Sequence, residues 1–204
     1  LELALACDYR IGTRKTQFRF PETSIGIFPG LGGTQRPARI AGLPAARWAV
    51  LAGNFMDART AADLGLVTNL VDVTEVDNTI SSLDSAGKPA DKYPGKPANS
   101  NSKVAIFAES FYSDENLISI LDGKCPEGFD SEDKNVARQM KSLSRTAPIA
   151  LRMASGLIDV AGTTGLSNGL SQELGNLETI FSTNDALEGL SALIEGRKPT
   201  YQNS

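Results

Sequence analysis

An α/β fold with a helical C-terminal layer is predicted by three observations. Short strand-like segments alternate with helical ones up to about residue 73, a turn-rich stretch follows, and residues 135–195 keep a helical apolar spacing. The 204 residues are 41% apolar and 22% charged with net charge −4, a globular composition, and are long enough to bury a core without staples. No apolar run reaches the roughly 18 residues of a membrane helix, so no membrane partner is expected. Nor does the acidic balance offer the basic stripe of a nucleic-acid binder.

The elements follow in order. Residues 1–7 are strong helix formers. Residues 8–12 and 17–20 read as short strands, the second by its alternation of polar and aromatic residues, and Pro21 stops it. Residues 25–33 are apolar yet carry Pro29, Gly30, Gly32 and Gly33, so a tight loop is expected there. Thr34 or a neighbour would then cap a helix running through Arg39. Pro44 suits the first turn of the next helix, which Gly53 ends. Asp57 is a good N-cap for residues 58–64, with Gly65 at the position just past the end. The apolar, β-branched residues 66–73 read as a strand.

Composition changes at about residue 84. Residues 85–102 hold prolines, glycines, lysines and serines with no hydrophobic period, which predicts a flexible surface linker. Residues 103–133 carry apolar clusters suited to packing on a larger body. Three units result: 1–84, a mixed core; 85–134, an insertion or linker with a small packed unit; and 135–204, helical in three or four segments. Pro148 should begin one of these helices, and Thr183 should cap another that ends at Gly196. The chain opens on Leu1 inside an apolar run, with no basic flank or cleavage motif, so a signal peptide is not expected. Residues upstream of Leu1 are expected to belong to the same fold.

The chain contains no histidine, which excludes Ser-His-Asp and Cys-His catalysis and His-ligated zinc; no metal site is expected. Cys7 and Cys125 form neither a CxxC motif nor a disulfide framework, and a reducing cytoplasm is the expected setting. The glycine loop fails both phosphate-binding templates: no Gly-Lys-Ser/Thr occurs, and a dinucleotide fingerprint begun at Gly30 meets Gln35 where glycine is required. Glu2 among apolar helix formers and Glu22 after Phe18, Phe20 and Pro21 stand in company that raises a carboxyl pKa toward acid–base use. The alternatives are that Glu2 faces solvent and Glu22 caps a loop. Arg36, Arg39 and Arg47 read either as a solvated helix face or as an anion contact, and Arg197-Lys198 as a charge pair at a helix C-terminus.

Three stretches together resemble the crotonase (enoyl-CoA hydratase/isomerase) superfamily: Leu1-Glu2-Leu3-Ala4-Leu5-Ala6-Cys7-Asp8, Phe20-Pro21-Glu22, and Gly26-Ile27-Phe28-Pro29-Gly30-Leu31-Gly32-Gly33-Thr34-Gln35-Arg36. Leu51-Ala52-Gly53 with residues 58–67, and the tail from Phe181 to Lys198, extend the likeness. The resemblance implies a ββα-repeat spiral core whose N-terminal part is missing here. Residues 1–84 would then be the C-terminal half of that core, and 135–204 a helical region that assembles homo-trimers or hexamers. It also implies a lyase that adds water to trans-2-enoyl-CoA thioesters in fatty-acid or related acyl-CoA metabolism. Glu2 would take the proton from water, Glu22 would protonate the α-carbon, and the Gly30 backbone would help place the water. The substrate is a coenzyme A thioester with no permanently bound cofactor, and both donors to the thioester oxygen would lie upstream of Leu1. The insertion resembles an extra region of 3-hydroxyisobutyryl-CoA hydrolases, so a hydrolase, an enoyl-CoA isomerase, a fusion to a 3-hydroxyacyl-CoA dehydrogenase and a non-catalytic fragment are the alternatives. Gly196 departs from the lysine that compact hydratases often carry near the coenzyme A site.

Overall fold

The computed structural model describes residues 1–204. The chain opens with helix α1 (Glu2–Ala6), followed by strands β1 (Ile11–Gly12) and β2 (Gln17–Phe18) and a 3-10 turn at Glu22–Ile25. Helices α2 (Arg36–Ala41) and α3 (Leu43–Val50), strand β3 (Met56–Asp57), helix α4 (Ala58–Asp63) and strand β4 (Asn69–Leu70) complete the mixed portion. The three strands expected at residues 8–12, 17–20 and 66–73 are each only two residues long, and β3 had no strand signal in the sequence. β1 pairs in parallel with β4, Ile11 opposite Asn69, and β2 pairs antiparallel with β3, Gln17 opposite Asp57. A strand extends only as far as a partner lies beside it, and here two residues of each pair meet. The rest of the expected strand at residues 8–12 is fastened by Arg10, a buried guanidinium that donates to the carbonyls of Leu66, Cys7 and Gly65.

Local signals that depend on a single turn are realised. Asp57 Oδ1 accepts the Thr60 N–H at 2.7 Å, capping α4, and Gly65 beyond its end has φ +80°. Pro44 lies in the first turn of α3. The capping expected of Thr34 is not realised: α2 begins after Gln35 with no side-chain cap, because the Thr34 hydroxyl is engaged elsewhere.

After α5 (Val76–Ala86) the turn-rich stretch runs over the core and is fastened to it. Gly95 N–H donates to Arg39 O at 2.7 Å, and Asn99 N–H to Asp63 O at 2.8 Å. Helices α6 (Lys103–Phe111) and α7 (Asp114–Leu121) follow. Phe111 and Tyr112 are fully buried, with Phe111 in edge contact with Tyr112 and Phe129. The helical tail comprises α8 (Lys134–Leu143), α9 (Pro148–Thr163), α10 (Leu166–Gly175), α11 (Leu177–Phe181) and α12 (Asn184–Glu195), five helices where the sequence spacing predicts three or four. Thr183 Oγ1 accepts the Ala186 N–H, and α12 ends on left-handed Gly196, as expected.

One cluster of buried apolar side chains runs from Leu5 through Trp48, Phe111 and Ile158 to Ile180. It joins the mixed front, helices α6 and α7 and the helical tail. The long helix α9 packs on both α2 and α3, so the tail seats directly on the helix that follows the glycine loop.

Candidate active site

Glu2 is the first residue of α1, and its side chain turns away from that helix to the glycine loop. Its Oε1 accepts the Leu31 N–H at 2.7 Å and the Gly33 N–H at 2.8 Å. Two amides converging on one oxygen fix the orientation of the carboxyl group. Glu2 is therefore neither a solvent-facing helix residue nor a buried orphan.

Glu22 begins the 3-10 turn after Pro21 and is partly buried. Burial pushes its carboxyl up to about 7, and the nearby charge of Glu2 acts in the same direction; a backbone hydrogen bond and Arg19 oppose it. Its Oε2 is buried without a hydrogen-bond partner. The turn is held from outside by the C-terminal tail, where Tyr201 Oη donates to Ser24 O at 2.7 Å. Between about pH 4.5 and 7 the folded chain thus carries a proton on Glu22 that the unfolded chain has lost, so stability falls as pH rises through that window. Glu22→Gln should flatten this slope and raise stability above neutrality by up to about 3 kcal/mol. Urea midpoints at acidic and mildly alkaline pH measure this, and an unchanged slope in the variant would assign the pH dependence to other groups.

The Gly30 N–H donates to no protein acceptor. A Cβ on Gly30 would lie 2.5 Å from Leu177 Cδ2 of α11, so the missing side chain also lets the helical tail close over the loop. Gly32 has φ +94°, a left-handed conformation that glycine adopts at little cost.

Sequence reasoning missed Glu173, on α10. This carboxylate is only 1% exposed and receives the Gly32 N–H on Oε1, and the Thr34 N–H at 3.0 Å and the Thr34 hydroxyl on Oε2. Burial raises its pKa, against the hydrogen bonds from Thr34 and Gly32. Its position in an ordinary amphipathic helix offers no local signal. A cavity of about 810 Å³, lined by Phe55, Asp57, Lys103 and Arg138 among others, lies apart from both sequence-predicted glutamates.

A family model described as enoyl-CoA hydratase/isomerase matches residues 1–204. The chain belongs to the enoyl-CoA hydratase/isomerase family. It is 28% identical over 201 residues to a probable mitochondrial enoyl-CoA hydratase 2 of Arabidopsis thaliana, covering 98% of this chain and 48% of that protein. It is 33% identical over 187 residues to a peroxisomal bifunctional enzyme of Danio rerio, covering 91% of this chain and 22% of that protein. The chain thus spans half or less of the length of these curated relatives. Among solved structures, a carnitinyl-CoA dehydratase from Mycobacterium thermoresistibile superposes with TM-score 0.74 at 19% identity, and an enoyl-CoA hydratase from Rhodobacter sphaeroides with 0.72 at 21%. Each covers 98% of this chain and 58% of the other, and together they show the crotonase fold.

Within this hydratase/isomerase fold the three arginines are structural. Arg36 donates to Leu31 O and Arg39 to Ala161 O. Arg47 overturns the expectation of a solvated face or an anion contact. It is 2% exposed, donates to Tyr112 O, and pairs with Asp159 and Asp114, each at 2.7 Å. Tyr112 and Asp114 come from the segment around α6 and α7, and Asp159 from α9. Arg197 stands just past the end of α12, as the sequence suggested, and there pairs with Glu188 at 2.6 Å.

Proposed function

We propose that this chain carries the acid–base half of an enoyl-CoA hydratase site, with Glu2 as base and Glu22 as acid. The observation that carries this reading is the unlike state of two neighbouring carboxyls. Glu2 is anchored by two loop amides through one oxygen, while Glu22 holds its proton up to about pH 7. Water, held between Glu2 and the unpaired Gly30 N–H, adds its oxygen to the β-carbon of a trans-2-enoyl thioester and yields a proton to Glu2. Glu22 delivers its proton to the α-carbon, and proton exchange between the carboxyls or with solvent restores both. The elements of water add across one double bond, with no change of oxidation state at the protein. Donors to the thioester oxygen would come from the part of the fold that the resemblance places before Leu1.

Isomerisation moves one proton between carbons and can be served by a single carboxyl; the second, anchored carboxylate favours addition of water. The hydrolase reading calls for aspartate at position 30, where this chain has glycine. A larger fused enzyme is compatible with the partial match to a bifunctional relative. The proposed setting is the cytoplasm. The proposed assembly is a homo-trimer or hexamer formed through the C-terminal helices, which expose Phe181, Leu187 and Ile194.

Hydration of crotonyl-CoA by the full-length protein, followed spectrophotometrically, tests the reading. Gly30→Asp should lower the rate at least about tenfold, because the new side chain displaces the water and must push past Leu177. A variant as fast as the parent would remove Gly30 from the water site.

A further inference from the structure

We infer that Glu173 is a positioning residue for Glu2, acting through the four consecutive amides of residues 31–34. These amides alternate between the two carboxylates. Leu31 and Gly33 donate to Glu2, and Gly32 and Thr34 donate to Glu173. None of the four donates to a backbone carbonyl, so the two side chains supply the acceptors that these amides use, while the Leu31 and Gly32 carbonyls accept from Arg36 and Gln35.

The alternation couples the carboxylates mechanically. An amide turns by rotation of its peptide plane, and rotating one plane in a tight loop is compensated by counter-rotation of its neighbours. Without Glu173, the buried Gly32 and Thr34 N–H groups lack acceptors and their planes turn to find new ones. The Leu31 and Gly33 amides lie between and beside those planes, so they swing off Glu2 Oε1. Glu2 sits on a five-residue helix with no side-chain cap, and those two amides are the only hydrogen bonds of its side chain. Its second oxygen, which would face the water, is aimed only as well as the first is held. Glu173 lies 141 positions along the chain from Gly32. Through it, the helical tail sets the geometry of a group at the other end of the chain. Leu177, on the following helix, closes over Gly30 from the same side.

The rival account is that Glu173 only anchors α10 to the core. Glu173→Gln separates the two, since it keeps the shape but turns an N–H group toward amides that need acceptors. Amide exchange, read residue by residue in the full-length protein, should accelerate at least about tenfold at all four positions 31–34. Protection retained at Leu31 and Gly33 while Gly32 and Thr34 lose it would overturn the coupling. Thr34→Val keeps all four amides and removes the hydroxyl's bond to Glu173, together with the one it accepts from Gln35 Nε2. It should show the same four-position pattern at smaller amplitude, and it decides the matter should the Gln variant fold poorly.

A kinetic cycle gives a second readout. In the parent, Glu173→Gln should lower kcat for crotonyl-CoA at least about tenfold with KM within about twofold. In a Glu2→Gln background the same change should alter kcat by less than about twofold. Multiplicative losses would make Glu173 an anchor alone. The kinetic arm rests on the hydratase reading. A parent protein that hydrates no enoyl-CoA defeats that reading only, and amide exchange still decides the role of Glu173.

Discussion

Glu2→Gln and Glu22→Gln should each lower enoyl-CoA hydration by the full-length protein at least about a hundredfold, the scale of lost general acid–base help. The two losses have different origins. Glutamine at position 2 can still accept the Leu31 and Gly33 amides through its carbonyl oxygen, so the loop stays in place while the proton acceptor is lost. Glutamine at position 22 fits the same partly buried site without a charge penalty, yet it has no proton to give the α-carbon. If both serve the one proposed addition, the double variant should fall far short of the product of the single losses. Initial rates with crotonyl-CoA decide this, and a single variant working near the parent rate would remove that residue from the chemistry.

The largest stability effect is expected at Arg47. Its guanidinium is buried while its partners are not: the Asp114 side chain is 83% exposed and that of Asp159 is 45% exposed. Replacing both acids by alanine leaves a buried cation with only the Tyr112 carbonyl for company, and should cost about 3 kcal/mol, the lower end for an orphaned buried charge because water can reach the vacated positions. Arg47→Met removes the charge while filling similar volume, and should cost markedly less. Urea unfolding of the three proteins measures the order. A larger loss in Arg47→Met would mean that packing and the Tyr112 bond dominate.

Arg47 also shows what a linear reading leaves out. Arg36, Arg39 and Arg47 have the same outward look in the sequence, on consecutive helices. Burial separates them: Arg47 is enclosed between Tyr112 and Asp114 on one side and Asp159 of α9 on the other. The glutamates behaved differently. Their chemistry could be suspected because an acidic residue in apolar surroundings must either be paired or shift its pKa, and Glu22 does shift. A threonine or its neighbour just before a helix commonly caps it, but here a buried carboxylate from α10 takes the Thr34 hydroxyl.

What the sequence determined by itself were features whose energetics close within one turn: the Asp57 and Thr183 caps, the early helical prolines, the glycine ends of α4 and α12, and the tight loop at Pro29 to Gly33. Each depends on a donor and acceptor, or on a backbone angle, within about four residues, so composition at that spacing is enough. Tertiary structure alone decided how far the strands extend, which arginine is buried, and that Glu173 meets the loop. Those outcomes depend on groups that chain connectivity leaves far apart. A ladder needs a neighbour, a buried charge needs a partner, and four free amides need acceptors, and only the packed core brings these together.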